Sequence, residues 1–474
     1  MKKLLTMLLL CTAFAAFAQT EADDLPGSSP YLRLSADDAV KLAITNNLML
    51  QQAGIGLDIA RRRHELSWNQ FLPSVTVQGT LMRENWATVQ PGMSIEIAPG
   101  MGINTPSVTL PQWRVNAGVS LSLDLSLAMI EDIRTAELEY HAGILSLEKA
   151  KLQMEQGIRK MYNAILLMEA NLALFQDTFA NAQRQAAIAE ANFNAGMAPR
   201  LTWLQAQVQV ENLRPTMNEL SSGLRNLKGS FALMLGLPYD TEIELIAISM
   251  DSLHIPDDLS QFLGSAAAMQ KPDIIELQSN LLTLHSQRRT LHLQMYSPFL
   301  RLGWGVNSTF NPRLDPFTNS WFTRDNWNEG GNLTITLGMS LNGLFSFTRE
   351  GQRLQNMDAN IQIQNLRLSQ MIRDTELEIF SKINSLETIR TTIEVQRSAV
   401  DLAELSYNLT EEAYRAGLQD IQAVNNALIA LHQAELQLLT QHFNFLNDLI
   451  DLEYSLGLPF GSLSTGIIPN GSIQ

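Results

Sequence analysis

The stretch 113–127, W-R-V-N-A-G-V-S-L-S-L-D-L-S-L, restricts this chain more than any other segment. Trp113, Val115, Ala117, Val119, Leu121, Leu123, Leu125 and Leu127 share one parity; Arg114, Asn116, Gly118, Ser120, Ser122, Asp124 and Ser126 share the other. A period of two puts the first set on one face of a β-strand and the second on the opposite face. At 15 residues the run exceeds a usual soluble strand and suffices for a tilted path across a bilayer. An aliphatic face backed by one carrying Arg and Asp is the pattern of a transmembrane barrel strand, with lipid outside and water inside. On this segment alone, an amphipathic strand of a soluble sandwich reads the same way.

The rest of the chain narrows the choice. A net charge of −15 over 474 residues does not suit a nucleic-acid partner, whose phosphates require a basic surface. Residues 1–18 open with Lys2-Lys3, continue through a short apolar run and end Ala16-Phe17-Ala18, as a cleaved secretory signal does. The only cysteine, Cys11, lies inside that signal, so the mature chain would hold no disulfide, thiolate metal site or Cys nucleophile. Leu10 before Cys11 is bulkier than a lipoprotein signal tolerates. Beyond the signal no apolar run reaches 18 residues, so any membrane crossing falls to strands.

The chain is also written twice. Residues 47–73 match 272–298 at an offset of 225, while F-N-A-G around Gly196 matches Y-R-A-G around Gly417 at 221. L-G-L-P at 235–238 matches L-G-L-P at 456–459, again at 221. This predicts a first repeat over 19–259: helix 35–71 with Ser35 as its N-cap, strands 74–87 and 112–127, helices 128–195 and 201–236, and a segment 239–259. A second repeat spans 260–474: helix 260–297, strands 298–310 and 331–345, helices 349–416 and 420–457, and a segment 460–474. Residues 91–111 and 311–331 read as long polar or Gly/Pro-rich loops.

The long helices carry heptads. Ile133, Tyr140, Leu147, Met154, Met161, Met168, Phe175 and Ala182 recur every seven residues, with Ile144, Ile158, Ile165, Leu172 and Phe179 four after members of that series. Ile372, Ile379, Leu386, Ile393, Val400, Tyr407 and Tyr414 repeat the pattern, which marks a coiled coil and reads the Met stripe as packing. Pro215 should kink the helix 201–236 or remove a hydrogen bond there. In the second repeat Leu300, Leu302, Trp304 and Val306 alternate with Arg301, Gly303, Gly305 and Asn307, and Leu333, Ile335 and Leu337 alternate with Thr334 and Thr336. Trp86, Trp113, Trp321, Trp327 and Phe345 fall near strand ends, as aromatic girdles do.

Four strands cannot close a membrane barrel, and an open edge cannot face lipid, so the chain must oligomerise. Two copies would give eight strands and three would give twelve; these residues do not choose. A helix of ~68 residues spans about 100 Å, and two of ~36 residues stacked end to end match it. Laid side by side they form a rod of even thickness, with the segments after each L-G-L-P part-way along and Gly196 and Gly417 at the far tips. The fold class is therefore an internally duplicated α+β membrane protein: four long transmembrane β-strands continued by a long antiparallel helical coiled coil. The lipid-facing set is Val119, Leu121, Leu123, Leu302, Trp304, Ile335 and Leu337; the lumen-facing set is Arg114, Asn116, Ser120, Arg301, Asn307, Thr334 and Thr336.

This ensemble resembles the TolC-like outer-membrane factors, also called outer membrane efflux proteins, over nearly the whole mature chain. The resemblance is carried by L-S-A-D-D-A-V-K-L-A-I-T-N-N (34–47), by the duplicated helix-strand-strand-helix order, and by two motifs. These are F-N-A-G-M-A-P-R-L-T-W-L-Q-A (193–206) and Y-R-A-G-L-Q-D-I-Q-A-V-N-N-A (414–427). It implies a homotrimer in outer-membrane lipid, with a twelve-stranded barrel and a helical periplasmic tunnel. It further implies a periplasmic adaptor docked at the tips Ala195, Gly196, Met197, Ala416, Gly417 and Leu418, and an inner-membrane pump of the RND or ABC class. The family commonly places an Asp after the tip glycine to narrow the entrance; Ala423 stands there in the second motif. A softer aperture of Gln419, Asn425 and Asn426, with Asp420 near the rim, is the replacement, although Asp420 also suits a helix N-terminus.

No catalytic pattern emerges. His285 and His292 share a helix face without an H-E-x-x-H, the Gly-x-Gly pairs do not join a buried strand to a helix, and no serine sits in a nucleophile elbow. Neither a cofactor nor a metal is expected, and transport energy would come from a partner. Three readings follow: an exit duct for small molecules, a duct for secreted protein or peptide, and a coiled-coil structural or adhesive surface protein.

Overall fold

The structure, a computed structural model, describes residues 32–83, 89–90, 94–98, 101–104, 108–109, 113–247, 265–310, 327–340, 345, 347–416 and 418–465. The expected signal peptide, the strand ends at 84–87, 112 and 341–344, Trp86, Trp321, residues 248–264, Gly417 and residues 466–474 lie outside these.

Strand β1 (Leu32–Leu34) leads into α1 (Ala36–Asn46), where the Ser35 side chain accepts the Asp38 N–H at 3.2 Å. The single helix predicted over 35–71 is instead α1, α2 (Leu48–Glu65) and a 3-10 turn (Ser67–Phe71). Asn47 makes the break. Its backbone is extended (ψ 124°) and its side chain accepts the N–H groups of Met49 and Leu50 at 2.8 and 3.3 Å, starting α2 afresh. Leu72, held extended by Pro73, feeds β2 (Ser74–Arg83).

The predicted loop 91–111, with the two residues before it, forms short ladders, β3 (Val89–Gln90) with β6 (Val108–Thr109) and β4 (Ser94–Ala98) with β5 (Met101–Asn104). Their two to five residues are too few for a periodic signal. Then come β7 (Trp113–Ser126), α3 (Ala128–Asn194), α4 (Arg200–Met234) and β8 (Ile243–Leu245). Pro215 withdraws one amide donor, yet α4 runs unbroken across it. In place of one helix over 260–297 stand α5 (Ser265–Ala268) and α6 (Pro272–Tyr296). Pro272 occupies the first helical position and keeps Lys271 extended, so the helix must restart there. The chain ends with β9 (Phe299–Phe310), β10 (Trp327–Gly338), α7 (Arg349–Arg415), α8 (Ile421–Leu456) and α9 (Ser462–Thr465).

Helices α3 and α7 have 67 residues each, about 100 Å at the α-helical rise, while α4 and α8 have 35 and 36. The paired glycine motifs prove to be helix ends. Gly196, Gly236 and Gly457 take φ of 73°, 76° and 64°. The amide after each reaches back five residues, Met197 to Asn192, Leu237 to Ala232 and Leu458 to Glu453, which is the Schellman closure. The Leu418 amide likewise reaches Ala413 at 2.8 Å.

Two compact units share the chain. In the first (Met1–Thr45 with Ala164–Ile248), β1 and β8 pair in parallel, Leu32 opposite Ile243 and Leu34 opposite Leu245. Phe179, Ala182 and Val210 form a small core there, and Lys228 bridges Glu169 at 2.6 Å and the Ile243 carbonyl at 3.0 Å. The second unit (Asn46–Asn163 with Ser249–Gln474) holds a four-stranded antiparallel sheet ordered β10-β9-β7-β2. Its helical core is built by Ile379, Leu386 and Ile393 of α7, the middle of the heptad series, against Phe445, Leu449, Leu452 and Leu456 of α8.

Candidate functional site

The sheet is sorted by register. Residues directly opposite each other in antiparallel strands point to the same face. Val75, Leu121, Trp304 and Leu333 form one such row, Leu123, Leu302 and Ile335 the next, and Leu125, Leu300 and Leu337 the one nearest the helices. Val77, Val119 and Val306 extend the face the other way, to Leu81, Val115, Phe310 and Trp327 at its far end. Val119, Leu121, Leu123, Leu302, Trp304, Ile335 and Leu337 therefore share one face. Glu329, opposite Ser308, is a polar intrusion near the loop end.

The other face carries Thr76, Ser120 and Asn332, then Ser74, Ser122 and Thr334, then Asp124, Arg301 and Thr336. Arg301 contacts Asp124, and Thr309 donates to Asn116 at 2.9 Å. Asn307 belongs to this face by register, while the side chain of Arg114 lies outside what the structure describes. Strands β2 and β10 each have a single neighbour, so both sheet edges are bare among the described residues.

Each helical tip is described within its own unit. At the first, Phe193 and Trp203 stack with centroids 5.5 Å apart across the turn that Gly196 closes, and Met197 is 74% exposed. Ala195 donates to the Ala191 carbonyl as the last turn of α3 ends. At the second, Asp420 is the N-cap of α8 and accepts the Ala423 N–H at 2.8 Å. Gln422 donates to Asn426 at 3.3 Å; Leu418 is 79% exposed, and Gln419 is exposed beside it. Ala416 closes α7 through the Glu412 carbonyl, and Asn425 lies half-buried on α8.

A charge network in the second unit left no mark on the sequence, because its members are far apart along the chain. Lys149 of α3 pairs with Asp273 and Glu276 of α6 at 2.9 and 2.8 Å, and Tyr454 of α8 donates to Asp273 at 2.8 Å. Lys382 of α7 holds Asp448 and Asp451 of α8 at 2.6 and 2.8 Å; Lys160 also contacts Asp451. Burial is the largest single influence on Asp273 and Asp451 and opposes their charged forms, but the hydrogen bonds from lysine, the Tyr454 hydroxyl at Asp273 and the lysine charges together outweigh it and hold both carboxyls below the usual range.

Glu453 is the opposite case. It is buried, and desolvation raises its carboxyl although the Gly461 and Leu463 amides donate to it at 2.9 and 2.8 Å. The folded chain thus keeps the Glu453 proton to higher pH than the unfolded chain, so stability from this group falls as pH climbs from the unfolded value through the raised folded one. For Asp273 and Asp451 stability is present above the unfolded value and is lost as pH falls through the depressed one. Glu453→Gln should therefore gain on the wild type as pH rises through the Glu453 window, by at most about 1.4 kcal/mol per pH unit. Helical melting in detergent at a series of pH values checks this, and a pH-independent difference would refute it.

Among the described residues no group of three or more His, Cys, Asp or Glu could hold a metal, and no helix is long and apolar enough to cross a membrane. A long-stranded sheet with one apolar face and two edges bare among the described residues, joined to 67-residue helices, has the strand and helix pattern of an outer-membrane channel protomer. Comparison agrees. Residues 39–226 match the family model described as outer membrane efflux protein. The toluene efflux pump outer membrane protein TtgF of Pseudomonas putida is 21% identical over 434 residues, 90% of this chain and 84% of that protein. The solved structure of CusC superposes with a TM-score of 0.67 at 17% identity, covering 90% of this chain and 92% of the other. The outer membrane protein VceC of Vibrio cholerae gives 0.67 at 15%, covering 90% and 96%. The chain is thus similar to the outer membrane efflux proteins over residues 39–226 and shares the fold of the solved outer-membrane channels.

Proposed function

We propose that this protein is the outer-membrane exit duct of an efflux system, passively conducting small molecules handed to it from the periplasm. The observation that carries the reading is the sheet: one apolar face, one polar face, and two edges without a neighbouring strand among the described residues. Lipid accepts the apolar face but not the edges, so β10 of one copy joins β2 of the next. Three copies close twelve strands around the polar face, and the long helices continue inward as a periplasmic tunnel. The two repeats supply equivalent halves of each protomer's wall. The names of relatives such as the toluene efflux pump protein favour small-molecule cargo over secreted protein.

The tips at 195–197 and 416–418 dock on a periplasmic adaptor, which joins the duct to an energised inner-membrane pump. Gln419, Asn425 and Asn426 line the aperture, with Asp420 at its rim as well as capping α8. Met197→Glu and Leu418→Glu test the docking. Both positions are exposed, so folding should change by less than about 0.5 kcal/mol while the apolar contact is lost. The expected result is normal oligomer in the membrane with adaptor co-purification reduced several-fold. Poor assembly instead would make the tips folding elements. Loss of resistance to toxic compounds on deletion, with secreted proteins unchanged, separates efflux from secretion.

A further inference from the structure

All four long strands meet their helices at one end of the sheet. Ser74 opens β2, Ser126 closes β7, Phe299 opens β9 and Gly338 closes β10, with Ser126 and Gly338 both opposite Phe299. The rim at that end is unusual for so acidic a protein. Approaching β2, α2 closes with Arg61-Arg62-Arg63, and one to two turns later comes Trp68, 54% exposed. Leaving β10, the chain presents Phe345 and Phe347, their rings 5.4 Å apart and Phe347 77% exposed, directly before Arg349 and Arg353 on the first turns of α7.

The arginines differ in what they meet. Arg61 pairs with Asp58 at 2.9 Å and Arg63 with Glu139 at 2.8 Å. Arg62, Arg349 and Arg353 are exposed and have no ion pair among the described residues, although Glu350 is adjacent to Arg349. They also stand at opposite edges of the sheet, Arg62 beyond β2 and the other two beyond β10. Once β10 of one copy pairs with β2 of the next, each seam brings all three to the same side of the assembly, Arg349 and Arg353 at the start of α7 and Arg62 farther along the helices, where its neighbour Arg63 meets Glu139, the twelfth residue of α3. Asp58, Glu65 and Glu350 lie within four residues along the chain, but Asp58 and Glu65 are taken by Arg61 and none of the three pairs with Arg62, Arg349 or Arg353, whose charge is left for an anion. The exposed aromatics Trp68, Phe345 and Phe347, on the segments that join the sheet's outer strands to their helices, suit the boundary between acyl chains and headgroups.

We propose that this rim binds anionic phospholipid headgroups, with Arg62, Arg349 and Arg353 at each seam taking the phosphates and Trp68, Phe345 and Phe347 seated at the headgroup–acyl boundary. The inference rests on the duct reading, which turns the helix end of the barrel toward the periplasmic, phospholipid leaflet.

The test uses the full-length oligomer extracted from outer membranes and exchanged with micelles containing phosphatidylglycerol or phosphatidylcholine, retained lipid being counted by native mass spectrometry. The wild type should retain phosphatidylglycerol in preference, and inorganic phosphate should not displace it. Arg62→Gln, Arg349→Gln and Arg353→Gln combined should cut retention at least about fivefold, the equivalent of ~1 kcal/mol for even one arginine at an anionic surface. The matching triple Lys variant should keep most of it. Oligomer yield should stay normal in both variants. Equal retention of the two lipids by the wild type, or undiminished retention by the Gln variant in intact oligomers, would overturn the lipid site and leave the duct standing. Recovery of the wild type only as a soluble monomer would overturn both.

Discussion

Leu121→Arg is expected to abolish recovery of heat-resistant oligomer from outer membranes. Leu121 sits in the third apolar row from the helix end, between Val75 and Trp304 and in line with Leu333. That is near the middle of the 12-residue span of β9 and β10. An arginine there cannot reach either interface, and costs ~2–4 kcal/mol at the bilayer midplane. The penalty recurs in every copy of the assembly. Leu337→Arg, in the row nearest the helices, can extend its guanidinium to the headgroups and should cost only ~0–1 kcal/mol. Ser120→Arg, one residue from Leu121 but on the polar face, should assemble normally. Oligomer yield by electrophoresis with and without heating reads all three. Wild-type yield from Leu121→Arg, or failure of Ser120→Arg alone, would reverse the assignment of faces.

The second large effect is expected at Gly457. This residue ends α8 in the left-handed region (φ 64°), where a Cβ costs ~1–2 kcal/mol for any L-residue. Here the Cβ would also press into the Gln270 backbone carbonyl oxygen and lie 3.5 Å from the Gln270 Cβ. Backbone on a helix-capping turn cannot swing aside as a side chain can, and such overpacking adds ~1–3 kcal/mol. Gly457→Ala should thus lose roughly 2–5 kcal/mol by these two terms together. Gly196→Ala provides the control: the same left-handed φ, 73°, with nothing within 4 Å of the added carbon, so only the backbone term applies. Helical unfolding in detergent distinguishes them, and equal losses would mean that the Gln270 contact relaxes freely.

What the sequence made legible followed the reach of its periodic signals. Leu121 and Ser120 announce their faces because a period of two runs unbroken for fourteen residues of β7. Ile379, Leu386 and Ile393 announce a core because seven-residue spacing persists along α7. Asn47 was readable only as one polar residue inside a helical pattern, since its effect depends on whether its side chain turns back to the Met49 and Leu50 amides. The three-residue pairing of β1 with β8 is too short for any period. Lys382 with Asp448 and Asp451, or Tyr454 with Asp273, join residues scores of positions apart and exist only after folding. The tip glycines show a further limit. The motifs at 195–197 and 235–237 were visible as repeats, but the Schellman closure they form serves helix ends generally, so the motif alone does not mark a docking surface.

The unpaired backbones of β2 and β10 have a genetic corollary. Under the proposed duct, each polypeptide completes its neighbours rather than itself, so a subunit with sound strands but a faulty tip would be built into shared pores beside normal siblings. Such an allele should behave as dominant, disabling most channels in a cell that also makes the intact product. A lesion in the strands, which never enters the ring, should be recessive.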